Sequence, residues 1–200
     1  MKRFLTIIVL TLILSGCEKK TEETFCNSIP LATPTIDEDI EYQIINAIIE
    51  TYYYPELNSV EIDQMTTPLL PDDIKYIRED MEQENIAYDT TSLLDYLERN
   101  KTNNFFNYSQ IHSAVHLISN VEIDCLFSSG DDGWQKFYQK YPKYKGFFMF
   151  SRPGINTQKN KAIIEYSWAR NYLACEWYIV VLEKIDENWV VTHRILTAVT

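Results

Sequence analysis

After Gly146 the chain reads almost entirely as alternating sequence, and this change of period constrains the fold more than any other feature. Phe148 and Phe150 open one strand, and Ala162, Ile164, Tyr166 and Trp168 alternate through a second. Cys175, Trp177, Ile179 and Val181 mark a third, and Trp189, Val191, His193, Ile195 and Thr197 a fourth. An apolar residue at every second position lays one row of side chains on one face of a sheet. The connections Gly154 to Lys161, Asn171 to Ala174 and Asp186 to Asn188 are too short for the crossovers that parallel strands require. The segment therefore predicts an antiparallel meander.

Upstream the period is helical. Ile40, Ile44, Ile45, Ile48, Ile49 and Tyr52 form one apolar stripe, with Glu41, Gln43, Asn46 and Glu50 largely outside it. Thr35-Ile36-Asp37-Glu38 has the spacing of a capping box at its start, and Pro55 marks its end. Tyr52-Tyr53-Tyr54 cannot all point inward, so at least one ring is expected at the surface. A short helix is expected from Asp72-Asp73 to Met81, another from Ser92 to Asn100, and a third between Trp134 and Tyr141, stopped by Pro142. From Val115 the pattern alternates, and Val121, Ile123, Cys125 and Phe127 opposite Glu122 and Asp124 predict an additional strand. The fold class is α+β: N-terminal helices packed on a C-terminal antiparallel sheet of about four to five strands.

The final hairpin, Tyr178 to Val191, has an apolar strand, a polar turn and Trp189. It resembles the closing hairpin of cystatin-like and NTF2-like sheets, a resemblance that implies topology and transfers no functional residue. The stretch Trp134 to Trp189 also resembles uncharacterised domains of secreted bacterial lipoproteins, which carry no known activity.

Lys2 and Arg3 precede the apolar run Phe4 to Leu14, whose length suits a signal-peptide core and falls short of the roughly 20 residues of a spanning helix. Leu14-Ser15-Gly16-Cys17 then resembles the lipobox of bacterial lipoproteins. The resemblance implies cleavage before Cys17, a diacylglyceryl group on its sulfur and acylation, for example by palmitate, of the new amino group. It makes residues 1–16 a signal peptide, 17–34 a lipidated flexible tether and 35–200 a single α+β domain. The protein is thus expected in the cell envelope, held by lipid through Cys17, in the outer membrane if the cell is Gram-negative. Removing Lys2 and Arg3 leaves 16 basic residues against 29 acidic ones, 16 − 29 = −13. So acidic a chain is no nucleic-acid binder, because phosphate backbones demand positive charge.

Three cysteines remain. Cys125 and Cys175 both stand at apolar phases of expected strands and form the candidate disulfide, leaving Cys26 unpaired; two small buried thiols are the competing reading. His112 and His116 have the i, i+4 spacing of helical zinc ligands, but Ser113 stands where the hydrolase pattern needs Glu. Taken with Cys125, Cys175 and His193, they do not make a metal site, and no cofactor is expected. Gly130-Asp131-Asp132-Gly133 lacks calcium-loop spacing, and Asp131 or Asp132 reads as the cap of the helix at Trp134. Ser151-Arg152-Pro153-Gly154 reads as a turn, or second as a place where Arg152 meets an acidic ligand group. No nucleophile elbow, phosphate loop or dinucleotide fingerprint occurs, so no catalytic residue is assigned. The leading expectation is a lipid-anchored module binding an envelope protein or a small ligand. A small NTF2-like enzyme using Asp124 or His193 and a structural envelope lipoprotein are the alternatives.

Overall fold

The computed structural model describes residues 26, 29–53, 59–69, 73–128 and 132–200; the signal segment, Cys17, Tyr54 and Asp131 lie outside the described residues. The architecture is α+β. Its helices are α1 (Asp39–Tyr52), α2 (Asp73–Gln83), α3 (Thr90–Arg99), α4 (Asn120–Phe127) and α5 (Gly133–Lys140). Its strands are β1 (Val60–Asp63), β2 (Val115–Ile118), β3 (Phe147–Phe150), β4 (Gly154–Ile155), β5 (Lys161–Asn171), β6 (Ala174–Ile185) and β7 (Asn188–Val199).

They form one mixed sheet in the order β2-β1-β3-β5-β6-β7, with β4 paired to β5 beside that path. The meander β5-β6-β7 and the pairing of β3 with β5 are antiparallel, as the alternation predicts. The sheet has seven strands rather than four or five because β1 joins β2 and β3 in parallel and the two-residue β4 pairs with β5. All four residues of β1 are buried, so the strand is covered on both faces and its Val-Glu-Ile-Asp sequence carries no polar, solvent-facing row.

Helices cover both faces. On one, the α1 stripe of Ile44, Ile45, Ile48 and Ile49, each 0 % exposed, packs over Ile62, Phe148, Ile164, Tyr166, Val180 and Leu182. Each such side chain contributes about 1.5–3 kcal/mol by leaving water. On the other, Met81 of α2 and Leu93 and Tyr96 of α3 cover Ile163, Ile179 and Ile195. Leu126, Trp134 and Phe137 of α4 and α5 cover Ile118, Phe147, Ala169 and Cys175 on that same face.

Several local expectations are revised. The segment after Val115 is a strand only to Ile118; Asn120–Phe127 is α4, not a strand. Ile123, Leu126 and Phe127, spaced three and four apart, face the aromatic cluster, while Val121 is 54 % exposed. The alternation there came from a helix stripe of mixed polarity. Glu38, not Thr35, precedes the first turn of α1, and it makes no side-chain cap. Thr35 Oγ1 instead accepts a hydrogen bond from the Phe105 amide at 2.9 Å. Asp132 does stand at the cap position of α5, but its carboxylate pairs with Lys136 Nζ at 3.1 Å instead of capping an amide.

Two glycines are required by their surroundings. Gly146 has φ +126°, and a Cβ there would meet the Ala169 carbonyl oxygen at 2.1 Å. Gly154 lets β4 touch α3, since a Cβ would lie 2.2 Å from the Ser92 carbonyl oxygen. The β6-β7 turn places Asp186 (φ 48°) and Glu187 (φ 66°) together in the left-handed region, the twist that two-residue hairpins favour.

A charged knot joins α1, α3 and the β3-β4 corner. Glu41 is fully buried and receives Arg99 Nη1 at 2.8 Å, Arg152 Nη2 at 2.6 Å and Arg152 Nε at 3.0 Å. Arg99 also reaches Glu38 and Asp95. The acidic partner that the sequence suggested for Arg152 is therefore a residue of the chain itself.

Candidate functional site

Side chains alternate across a strand, so Glu61 and Asp63 of β1 and His116 of β2 point to the face opposite α1, toward α4 and α5. Glu61 and His116 are directly opposed in register, and His116 Nδ1 lies 2.6 Å from Glu61 Oε1. The carboxylate is wholly buried, whereas the imidazole side chain is 49 % exposed. A buried acid thus orients a ring whose other side meets solvent. The rings of Tyr141 and Tyr144 flank it, with centroids at 5.9 and 6.1 Å.

Burial pushes the Glu61 carboxyl above its ordinary range, and the bond to His116 only partly offsets this. His116 is raised chiefly by that same bond. The pair therefore holds its proton to higher pH than either group alone in water. Glu61 Oε2 is buried and has no partner, which the protonated carboxyl tolerates far better than a carboxylate would. Two positions along, burial lifts Asp63 to about 7 although its Oδ1 accepts the Met65 amide at 2.9 Å.

Glu122 of α4 completes the cluster. Its Oε1 receives both the Tyr141 hydroxyl and Lys140 Nζ, and Lys140 also donates to the Cys26 carbonyl oxygen. Burial, reinforced by Glu122, raises the Tyr141 hydroxyl strongly, so it stays a donor. Beside these residues Cys26 is bonded to Cys125, 5.8 Å apart between α-carbons. The candidate bridge Cys125 to Cys175 is therefore corrected. In a helix Cys125 turns toward Cys26, and Cys175 stays a free, buried thiol on β6 against the aromatic cluster. Burial raises that thiol, which keeps it inert.

The other residues singled out in the sequence are scattered. His112 lies in the loop before β2, its amide donating to Asn46 of α1 at 2.9 Å, and His116 is on a strand, so the two share no helix face. His193 is exposed on β7, with Nδ1 3.2 Å from Thr192 Oγ1, and Asp124 is exposed on α4. Neither lines the cleft that opens between the α3 and α5 clusters. Among the described residues no group of three or more His, Cys, Asp or Glu is arranged to hold a metal ion.

Sequence reasoning missed Glu61. The signal was present in Val60-Glu61-Ile62-Asp63, an alternation too short to separate from loop, with carboxylates on the row that is buried. A shallow cleft of about 40 Å³ opens where the α3 and α5 clusters part, lined by Leu69, Tyr96, Met149, Ser151, Ser167 and Trp177. It has room for about three waters, far below the several hundred cubic ångströms of a ligand pocket. Comparison of the chain with protein-family models, with curated proteins and with solved structures finds no match.

Proposed function

We propose that this protein is a lipid-anchored module of the cell envelope that binds an envelope protein or a small ligand at its surface. The reading is supported by the lipobox Leu14-Ser15-Gly16-Cys17 and, chiefly, by the Cys26–Cys125 bridge. A disulfide persists in oxidising compartments, which is where such an export signal delivers a chain. The bridge also fixes the chain nine residues after Cys17, since 26 − 17 = 9. Those residues span at most roughly 30 Å, so the anchor keeps the His116 face near the bilayer.

The test is mass spectrometry of the protein isolated from membranes of its own kind of host. The N-terminal peptide should begin at Cys17 and carry the mass of a diacylglyceryl group. Cys26 and Cys125 should react with maleimide only after reduction, and Cys175 only after unfolding. An unmodified Cys17 thiol in the mature chain overturns the anchor.

The Glu61–His116 contact favours a second reading, acid–base catalysis at the exposed side of the ring. Any turnover found should then fall about a hundredfold or more in H116Q, with affinity retained. Equal turnover in H116Q removes this reading.

A further inference from the structure

We propose that Arg194, with the tyrosines around it, forms a binding site for an organic carboxylate. This rests on the reading of the protein as a binding module, but not on its lipid anchor. Among the described arginines, Arg78, Arg99, Arg152 and Arg170 each pair with a carboxylate of the chain, whereas Arg194 pairs with none. In a protein with 29 acidic residues against 18 basic ones, Arg194 is thus the one described arginine without an acid.

Arg194 is held instead by rings. Its guanidinium carbon lies 3.7 Å from the Tyr178 ring centroid and 4.4 Å from that of Tyr52, with Tyr53 and Tyr166 each at 5.7 Å. Nη2 donates to the Tyr53 hydroxyl at 2.8 Å, and that hydroxyl is 2.6 Å from the Tyr166 hydroxyl. Nε is buried without a partner, and no acceptor among the described residues engages Nη1. Glu176, on the same face of β6 as Tyr178, is already occupied by Arg170 and by the Tyr178 hydroxyl. Burial raises Tyr53 to about 12 and moves Tyr166 and Tyr178 upward as well, so the cage stays neutral and leaves the positive charge uncancelled.

The surroundings define the ligand. One cation with a free edge matches a monoanion, and the planar fork matches the two oxygens of a carboxylate. Leu196, opposite Tyr178 in register and 51 % exposed, stands on the same face beside Arg194. With the half-buried Tyr52 it offers an apolar shelf for the body of the acid. The site opens on the α1 face of the sheet, opposite the His116 cluster.

Isothermal titration calorimetry on the full disulfide-bonded chain tests this, with sodium benzoate, acetate, inorganic phosphate and uncharged benzamide as probes. Benzoate should bind saturably with a dissociation constant on the order of millimolar, more tightly than acetate or phosphate, and benzamide not at all. R194Q should weaken benzoate about tenfold or more, and R194K, which keeps charge but not the fork, by less. L196D leaves the core untouched and places a carboxylate beside the guanidinium; it should abolish benzoate binding even if R194Q fails to fold. No saturable heat with benzoate, unchanged affinity in L196D, or phosphate binding at least as tight overturns the proposal. An unmodified Cys17 with benzoate binding intact removes the anchor alone.

Discussion

Asp63 and Glu61 share one face of β1, a strand buried on both faces, and their titration should govern how stability varies with pH. Asp63 is raised from 3.8 to about 7, and Glu61 and His116 are raised as well. For all three the folded state binds more protons than the unfolded state, so stability falls as pH rises through the interval between the two values. For Asp63 that interval runs from 3.8 to about 7, a penalty of at most about 4 kcal/mol at neutral pH. Asp89, lowered by its bond to Thr91, acts oppositely and only in the acid range. The melting temperature should therefore be highest near pH 4–5 and decline toward pH 8. D63N, whose amide oxygen still accepts the Met65 amide, should flatten that decline and melt higher than the native chain at pH 8. Parallel melting curves for the two proteins across this range would remove Asp63 from the account. Glu41 is a different case, a fully buried acid paired with two arginines. E41A leaves Arg152 without its carboxylate and removes one of the three that hold Arg99, and should cost about 3–5 kcal/mol in urea unfolding, while a loss below about 1 kcal/mol would mark the knot as dispensable.

The disulfide connects a segment before the first helix to α4, closing a loop of 99 residues. Its removal in C26S/C125S should lower stability by about 2–4 kcal/mol, read by denaturant unfolding without reductant. C175A deletes a thiol that bonds to no other cysteine and should shift the midpoint much less; the reverse order would refute the pairing. The pairing could not be read in advance because Asn120–Phe127 has a pattern compatible with two periods. Cys125 sits at an alternating apolar phase, yet Ile123, Leu126 and Phe127 also share one helical face. The long elements left no such ambiguity: α1 carries four consecutive matches to a helical stripe, and β5, β6 and β7 run for 11 or 12 residues each. Short buried strands such as β1 alternate over too few residues to be told from loop, and that is where Glu61 was hidden. Arg194 was equally invisible, because its cage comes from α1, β5 and β6, which only the folded sheet brings together.

At the scale of the whole molecule, the two chemically distinctive clusters lie on opposite faces of one sheet. Cys26 is fastened on the His116 side, and Arg194 opens on the other. If Cys17 carries lipid as proposed, the intact bridge should hold the His116 side near the bilayer and leave the Arg194 face turned away from it. The next fastening point is Ala32, whose amide donates to Gln64 Oε1 at 2.7 Å and whose carbonyl accepts Gln64 Nε2 at 2.8 Å. For a chain anchored at Cys17 as proposed, reduction therefore moves the first fixed point from nine residues after the anchor to fifteen, since 32 − 17 = 15. The added contour is up to about 20 Å. Neutron reflectometry of the lipidated protein on a supported bilayer should show the protein layer rising and broadening on reduction. C26S/C125S should give the raised profile from the start and not respond to reductant. A native layer whose height is the same before and after reduction would mean that the bridge stabilises the fold without setting its orientation, and the two faces would then be equally open to partners.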